Sequence, residues 1–275
     1  MEKQQFTYDY PRPAVTTDCV VFGLDGPTLK VLLIERGKEP FKGCWAFPGG
    51  FLNMDETAEQ CAARELKEET GLDLHDMKQI GAFSDVNRDP RGRVITIAFY
   101  ALTTVSAVQG SDDAAQAKWF ALNDLPQLTF DHDHILREAR MKLHEELSKG
   151  RITPERITSL GWNEIFVFGS NLEGAHGGGA ARIAVEKFGA IWGQGVGLQG
   201  KSYGIPTMQG GVETIKPYVD EFIAFAKQHH ELTFLVTRIG CGIAGFTTEE
   251  IAPLFAAAIN EKHIHLPLDF WTKLI

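Results

Sequence analysis

Apolar and polar positions follow two different rhythms along this chain. Over 12–35 an apolar stretch through Val20, Val21 and Phe22 is followed by the turn Leu24-Asp25-Gly26-Pro27 and by Val31, Leu32, Leu33 and Ile34, which predicts a hairpin. A loop marked by Pro48-Gly49-Gly50 leads into a helix over 57–70, with Thr57 placed to cap it, Gln60 three residues on, and Gly71 to stop it. Further strands are predicted over 79–86, 93–105 and 118–122. Ile135, Leu136, Ala139, Leu143 and Leu147 then recur at helical spacing on one face.

Around Gly150 and Pro154 apolar residues thin out, and the rhythm changes. A strand at 165–168, a glycine-rich loop, a helix over 180–188, a strand at 203–205, a helix over 217–229 and a strand at 233–236 alternate as βαβα units do. Thr247 and Glu250 cap a last helix, and 264–266 reads as a final strand. The expectation is α/β overall, with one domain over 1–148, a linker over 149–162 and a second domain over 163–275. There is no internal repeat.

A length of 275 residues suits two cores, and 44% hydrophobic with 23% charged residues is ordinary for a globular chain. The net charge of -9 argues against duplex nucleic acid as a partner. An anionic substrate would therefore need a metal ion or aimed backbone N–H groups. No apolar leader opens the sequence and no run of about 18 apolar residues follows, so a cytoplasmic protein without a membrane span is expected. Cys19, Cys44, Cys61 and Cys241 have neither disulfide nor zinc spacing, which suits free thiols.

Glu65, Glu68 and Glu69 fall at i, i+3 and i+4, so three carboxylates share one helix face. Such a face is either solvated or relieved by a hard divalent cation, Mg²⁺ first and Mn²⁺ as the alternative. Arg64 stands four before Glu68 and can orient it. Gly50, Glu56, Arg64, Glu65, Leu66, Glu68, Glu69, Gly71 and Leu72 together match, without departure, the box of the Nudix hydrolases, and the chain resembles that family over most of residues 11–147. The resemblance implies an α/β/α fold with a mixed sheet. It also implies Glu68 and Glu69 as Mg²⁺ ligands, Glu65 as ligand or base, Glu56 as a further ligand and Arg64 as structural partner. Trp45-Ala46-Phe47-Pro48-Gly49-Gly50, Asp89-Pro90-Arg91-Gly92-Arg93 and Phe130-Asp131-His132 resemble the branch with ADP-ribose pyrophosphatases and ADP-ribose sensors, which adds Gly49 and Gly50 to the expected substrate contacts. Arg88, Arg91 and Arg93 could meet phosphate or ribose, or serve solubility on a polar hairpin. Asp131-His132-Asp133-His134 precedes a helix and reads as capping rather than as a metal site.

In the second half, Gly169-Ser170-Asn171-Leu172-Glu173-Gly174-Ala175-His176-Gly177-Gly178-Gly179 runs from a strand into a helix, and Gly240-Cys241-Gly242-Ile243-Ala244-Gly245 follows another strand. Glycines make tight turns; two such loops at strand ends also suit an anion held by N–H groups and a helix N-terminus. With Ile205-Pro206-Thr207, these loops resemble a compact macro domain, a family that binds ADP-ribose. That implies an α/β/α fold, Asn171 near the distal ribose, Gly177, Gly178, Gly179 and Ala180 beside the phosphates, and the 240–245 loop across from them. Where one ADP-ribosyl-removing branch has Lys and Asp, this chain has Met208 and Ala244, so the second domain is expected either to read ADP-ribose without catalysis or to hydrolyse an ADP-ribosyl bond with other groups such as Asn171 and His176. The combined expectation is Mg²⁺-dependent cleavage of ADP-ribose or a related nucleoside diphosphate derivative, NADH among them, to AMP and ribose 5-phosphate. An ADP-ribose-sensing regulator is the rival; a homodimer and an ADP-ribosylated protein are the macromolecular partners that the reading allows.

Overall fold

The computed structural model describes residues 7–25, 28–110 and 114–275, so Gly26 and Pro27 of the expected turn lie outside the described residues. The chain divides into two compact units, Met1–Lys142 and Leu143–Ile275.

The first unit contains β1 (Ala14–Asp25), β2 (Thr28–Arg36), β3 (Trp45–Ala46), β4 (Gly49–Phe51), α1 (Ala58–Thr70), β5 (Lys78–Phe83), β6 (Val94–Thr104), β7 (Ala114–Ala121) and α2 (His132–Ser148), the last running past the division between the units. Seven strands form a mixed sheet in the order β3-β2-β1-β6-β5, with β4 also on β1 and β7 on β2. β1 is central and parallel to β6, from Ala14 opposite Val94 to Leu24 opposite Thr104. Its other edge is divided: Phe22 to Asp25 pair with β2, whereas Thr16 to Asp18 pair with β4. That change of partner brings the Gly49-Gly50 loop onto the middle of the sheet.

Side chains alternate across β1. Cys19 and Val21, beside Phe99 of β6, pack under Ala62 and Leu66 of α1. Asp18, between Thr17 and Cys19, projects to the opposite face. α1 starts and stops as its sequence requires: the Thr57 N–H donates to Gln60 Oε1 at 2.9 Å, the Gln60 N–H donates back to Thr57 Oγ1 at 3.3 Å, and Gly71 closes it at φ 74°.

The second unit contains β8 (Glu164–Ser170), α3 (Gly179–Phe188), β9 (Gly197–Gln199), β10 (Ser202–Pro206), α4 (Val212–Gln228), β11 (Thr233–Val236), α5 (Thr248–Ile251) with a 3₁₀ segment Ala252–Ala258, β12 (Ile264–His265) and α6 (Leu268–Leu274). The sheet order is β12-β11-β8-β10-β9, parallel except for the edge strand β9. Phe166 and Phe168 pack on α3. Phe234 lies opposite Ile165 in the ladder, hence on the other face, where it meets Phe222 of α4. Helices therefore cover both faces. α4 begins at Val212, ahead of the expected start, and Pro217 sits inside it. The helix expected from Thr247 is a single turn before Pro253 and its neighbours take the tighter 3₁₀ winding; β9 and α6 lie outside the expected elements.

Arg151 anchors this unit. Its buried guanidinium donates to the carbonyls of Ala258, Ile259, Glu261 and Ile264, and burial brings its pKa down to about 10. Carbonyl dipoles stand here where a carboxylate is usual. Among the described residues no helix is long and apolar enough to cross a membrane.

Candidate active site

Two glycines set the geometry by close approach. A Cβ on Gly49 would lie 2.0 Å from the Thr17 carbonyl oxygen, and one on Gly50 would lie 2.2 Å from Glu65 Oε1. Only glycine lets β4 rest against both β1 and the acidic face of α1. Glu69, 8% exposed, accepts the Gly49 N–H at 2.9 Å.

Arg64 is the hub of the helix face. It donates to Glu56 at 2.6 and 2.9 Å, to Glu65 at 2.7 Å, to Glu68 at 3.1 Å and to the Phe51 carbonyl at 3.3 Å. Hydrogen bonds from Arg64, with the Asn53 N–H, hold Glu56 down at a pKa of about 2. Burial pushes the Glu65 carboxyl up, opposed by Arg64. Glu56 anchors Arg64 and is not among the residues lining the cavity described next.

A cavity of about 500 Å³ collects Glu65, Glu68 and Glu69 from α1, Asp18 from β1, and Arg36 and Lys38 from the end of β2 and the turn after it. Burial lowers the Arg36 pKa, with Arg91 adding to the effect. The three arginines singled out in the sequence have separate fates. Arg88 is buried and grips Asp131 through two bonds of 2.9 and 2.7 Å, with Asp18 at 3.6 Å. Arg91 lines the cavity, paired with buried Asp89 at 2.6 Å. Arg93 donates to the carbonyls of Ser84 and Asp85 and is not among the lining residues.

The Asp131 carboxylate therefore serves Arg88 instead of capping α2. His132 is buried too, stacked on Phe47 at 4.8 Å, and its Nδ1 accepts the Phe47 N–H at 3.0 Å. That bond fixes the proton on Nε2, which faces Asp18 Oδ1 at 3.5 Å, and burial lowers the His132 pKa. The residues missed in the sequence, Asp18, Arg36 and Lys38, carry no local spacing signal; only strand pairing brings them to the carboxylates.

Among the described residues no three acidic, His or Cys side chains already form a cation cage. The donor set nevertheless fits a hard divalent ion. Glu65, Glu68, Glu69 and Asp18 present oxygens to one cavity, and the upward push on Glu65 is what an opposing cation would relieve.

In the second unit the glycine loops leave the carboxyl ends of β8 and β11, and Ile243 of one sits against Gly178 of the other. Asn171 is committed to its own loop: its amide donates to the Ala175 carbonyl and accepts the Ala175 N–H, both at 2.9 Å. His176 is 1% exposed, edge-on to Phe168, with Nε2 against the Gln194 carbonyl at 3.0 Å. These two side chains bond within the loop and to the segment behind it, while His176 Nδ1 is buried with no hydrogen-bond partner. A cavity of about 1180 Å³ in this unit is lined by residues 152–158, part of α3 and Arg238, and touches the first glycine loop only at Gly179.

The NUDIX domain family matches residues 12–139. An ADP-ribose pyrophosphatase of Methanocaldococcus jannaschii is 44% identical over 129 residues, 47% of this chain and 74% of that protein. The ADPR responsive transcriptional repressor NtrR of Acinetobacter baylyi is 35% identical over 143 residues, 50% of this chain and 57% of that one. The NUDIX domain of Shewanella oneidensis NrtR, solved with ADP ribose, is 34% identical, with 50% of this chain and 94% of that one covered and a TM-score of 0.47. An unbroken box, a cavity that gathers its carboxylates and a relative matched over three-quarters of its length agree: this chain belongs to the Nudix family and is a Nudix pyrophosphohydrolase.

Proposed function

We propose that the first unit hydrolyses the diphosphate bond of ADP-ribose, giving AMP and ribose 5-phosphate, with a divalent cation held by Glu65, Glu68 and Glu69. The carrying observation is one cavity in which these carboxylates meet Arg36, Lys38 and Arg91. The choice of ADP-ribose is supported by the names of the relatives from Methanocaldococcus jannaschii and Acinetobacter baylyi. Glu65, Glu68 and Glu69 would hold the divalent cation, which would supply positive charge to offset the diphosphate oxygens and to acidify a water molecule. Around it, Arg36, Lys38 and Arg91 hold phosphate oxygens. Glu65, with its raised pKa, takes the proton from the attacking water, and Glu69 is held in place by the Gly49 N–H. The new P–O bond forms from water as the bridging oxygen leaves with the second phosphate. No covalent enzyme intermediate is needed.

For the second unit we propose binding of ADP-ribose or an ADP-ribosyl group through main-chain N–H groups of 177–180 and 240–245, in the manner of a macro domain. Support comes from two glycine loops at the carboxyl ends of parallel strands, one of which opens α3. A regulator that senses ADP-ribose without turnover is the second reading, favoured by the repressor among the relatives.

The test is incubation of the intact protein with ADP-ribose and Mg²⁺, with AMP followed by chromatography and a Glu69→Gln variant run in parallel. AMP that appears with the intact protein and is lost with the variant is expected. If the intact protein yields no AMP, the substrate is another diphosphate or the chain is a sensor.

A further inference from the structure

The run Phe47-Pro48-Gly49-Gly50 leads from β3 into β4 and meets the acidic face of α1 at its far end. There the Gly49 N–H holds Glu69 at 2.9 Å, and Gly50 lies so near Glu65 that a Cβ would meet Oε1 at 2.2 Å. The strand before the run is tied to the segment that opens α2: the Trp45 carbonyl accepts the Thr129 N–H at 3.1 Å and Thr129 Oγ1 at 3.2 Å. Between these two attachments stands the Phe47 N–H. Phe47 is 2% exposed, so this donor has to be met inside the protein, and its partner is His132 Nδ1 at 3.0 Å. His132 is held in turn. Its ring stacks on Phe47, Nε2 faces Asp18 Oδ1 at 3.5 Å, and Arg88 grips the adjacent Asp131. A buried imidazole costs more than an apolar ring of the same size unless its polar atoms are used, and the acceptor in use here points at the run that seats two carboxylates.

We infer that His132 is a positioning residue for the cation-holding carboxylates. Through the Phe47 N–H it sets where Gly49 and Gly50 lie, and these set Glu69 and Glu65. The inference rests on the reading of Glu65, Glu68 and Glu69 as the holders of a divalent cation. Removing an outer partner that orients such ligands weakens metal binding or activity by roughly 10- to 100-fold, which is the scale expected at His132. Asp18 and Arg88 belong to the same support, because they fix the ring and the residue beside it.

The experiment measures Mn²⁺ binding to the full chain by electron paramagnetic resonance of the free ion, with a urea midpoint for each protein. His132→Asn places a carbonyl where Nδ1 stands and keeps an acceptor for Phe47. His132→Gln reaches toward the place of Nε2 and withdraws that acceptor, and His132→Phe keeps the stacked ring and has none. The Gln and Phe variants are expected to bind Mn²⁺ roughly 10- to 100-fold more weakly than wild type while still unfolding cooperatively, and Asn to stay within about threefold. Hydrogen exchange over 45–50, followed without metal, is expected to quicken in Gln and Phe and not in Asn. If only one of Gln and Phe folds, the other carries the comparison. Wild-type affinity in both, or an Asn variant as weak as they are, overturns the positioning role; so does unchanged exchange over 45–50. A wild type that binds no Mn²⁺, or a Glu69→Gln variant that binds it as tightly as wild type, instead overturns the reading of the carboxylates, and the inference with it.

Discussion

The carboxylate helix of the first unit and the glycine loops of the second were the two chemical signals of this sequence, and the fold treats them oppositely. Glu65, Glu68 and Glu69 all reach one cavity, opposite cations brought by other elements. Asn171 and His176, the two side chains with most chemistry in the glycine loop, are bound to the loop itself and to the wall behind it. Arg64 of the same helix answers only part of this charge, and the rest turns to a cavity where cations from other elements stand opposite. A glycine loop needs internal supports to hold its shape, and its polar side chains are the nearest supply.

The contrast is sharpest at Glu65. If it takes the proton from water, Glu65→Gln lowers kcat on ADP-ribose by roughly 10²- to 10⁴-fold, the usual weight of a general base, while the thermal midpoint stays close to wild type. A loss under tenfold would show that the base is elsewhere. His176→Gln in the second unit should leave kcat unchanged.

Gly50→Ala comes next. The clash at 2.2 Å is with the mobile end of Glu65, so stability changes little, but the carboxylate must leave its place. A displacement of that size lowers kcat by about 10²-fold. Gly49→Ala would clash with the main chain of Thr17 and unfold the loop, so the two glycines separate catalysis from folding. Steady-state kinetics beside a denaturation curve for each variant checks this.

These two positions also show what could be read in advance. The glycines, the capped helix and the acid triplet are local patterns, and the structure keeps each of them. Arg36 and Asp18 look like any charged residues near strand ends; they join the site because β1 pairs with β2, β4 and β6 at once. His132 reads as part of a cap because its neighbours precede a helix, yet its partner is the Phe47 N–H, 85 residues away in sequence. In the second unit the alternation of strands and helices is visible, but the 3₁₀ segment and α6 depend on packing of Phe255, Phe270 and Trp271 in the core, which no local spacing announces.

His132 gives a smaller, pH-dependent test. Its folded pKa is depressed by burial from 6.5, so on acidification the unfolded chain protonates first. Stability is then fully present above about pH 6.5 and falls below it, by at most about 1.4 kcal/mol per pH unit, until the folded pKa is reached. Urea midpoints between pH 7 and 5 should decline for the wild type, and the decline should flatten in His132→Asn, which keeps an acceptor for Phe47 but does not titrate. Parallel slopes would assign the acid loss to other groups.

The smallest effect falls on the second unit. A Cβ at Gly177 would meet no protein atom within 4 Å, and its backbone is not in the left-handed region. Gly177→Ala should therefore change stability by less than about 0.5 kcal/mol. If this loop's N–H groups lie against a diphosphate, the added methyl stands where the ligand approaches, and ADP-ribose binding measured by calorimetry with the Glu69→Gln background, which prevents turnover, loses its second site. If both sites persist, Gly177 is a turn residue only. The glycine-rich segment would then be a scaffold like its own Asn171 and His176, and any ligand of the second unit would have to sit elsewhere.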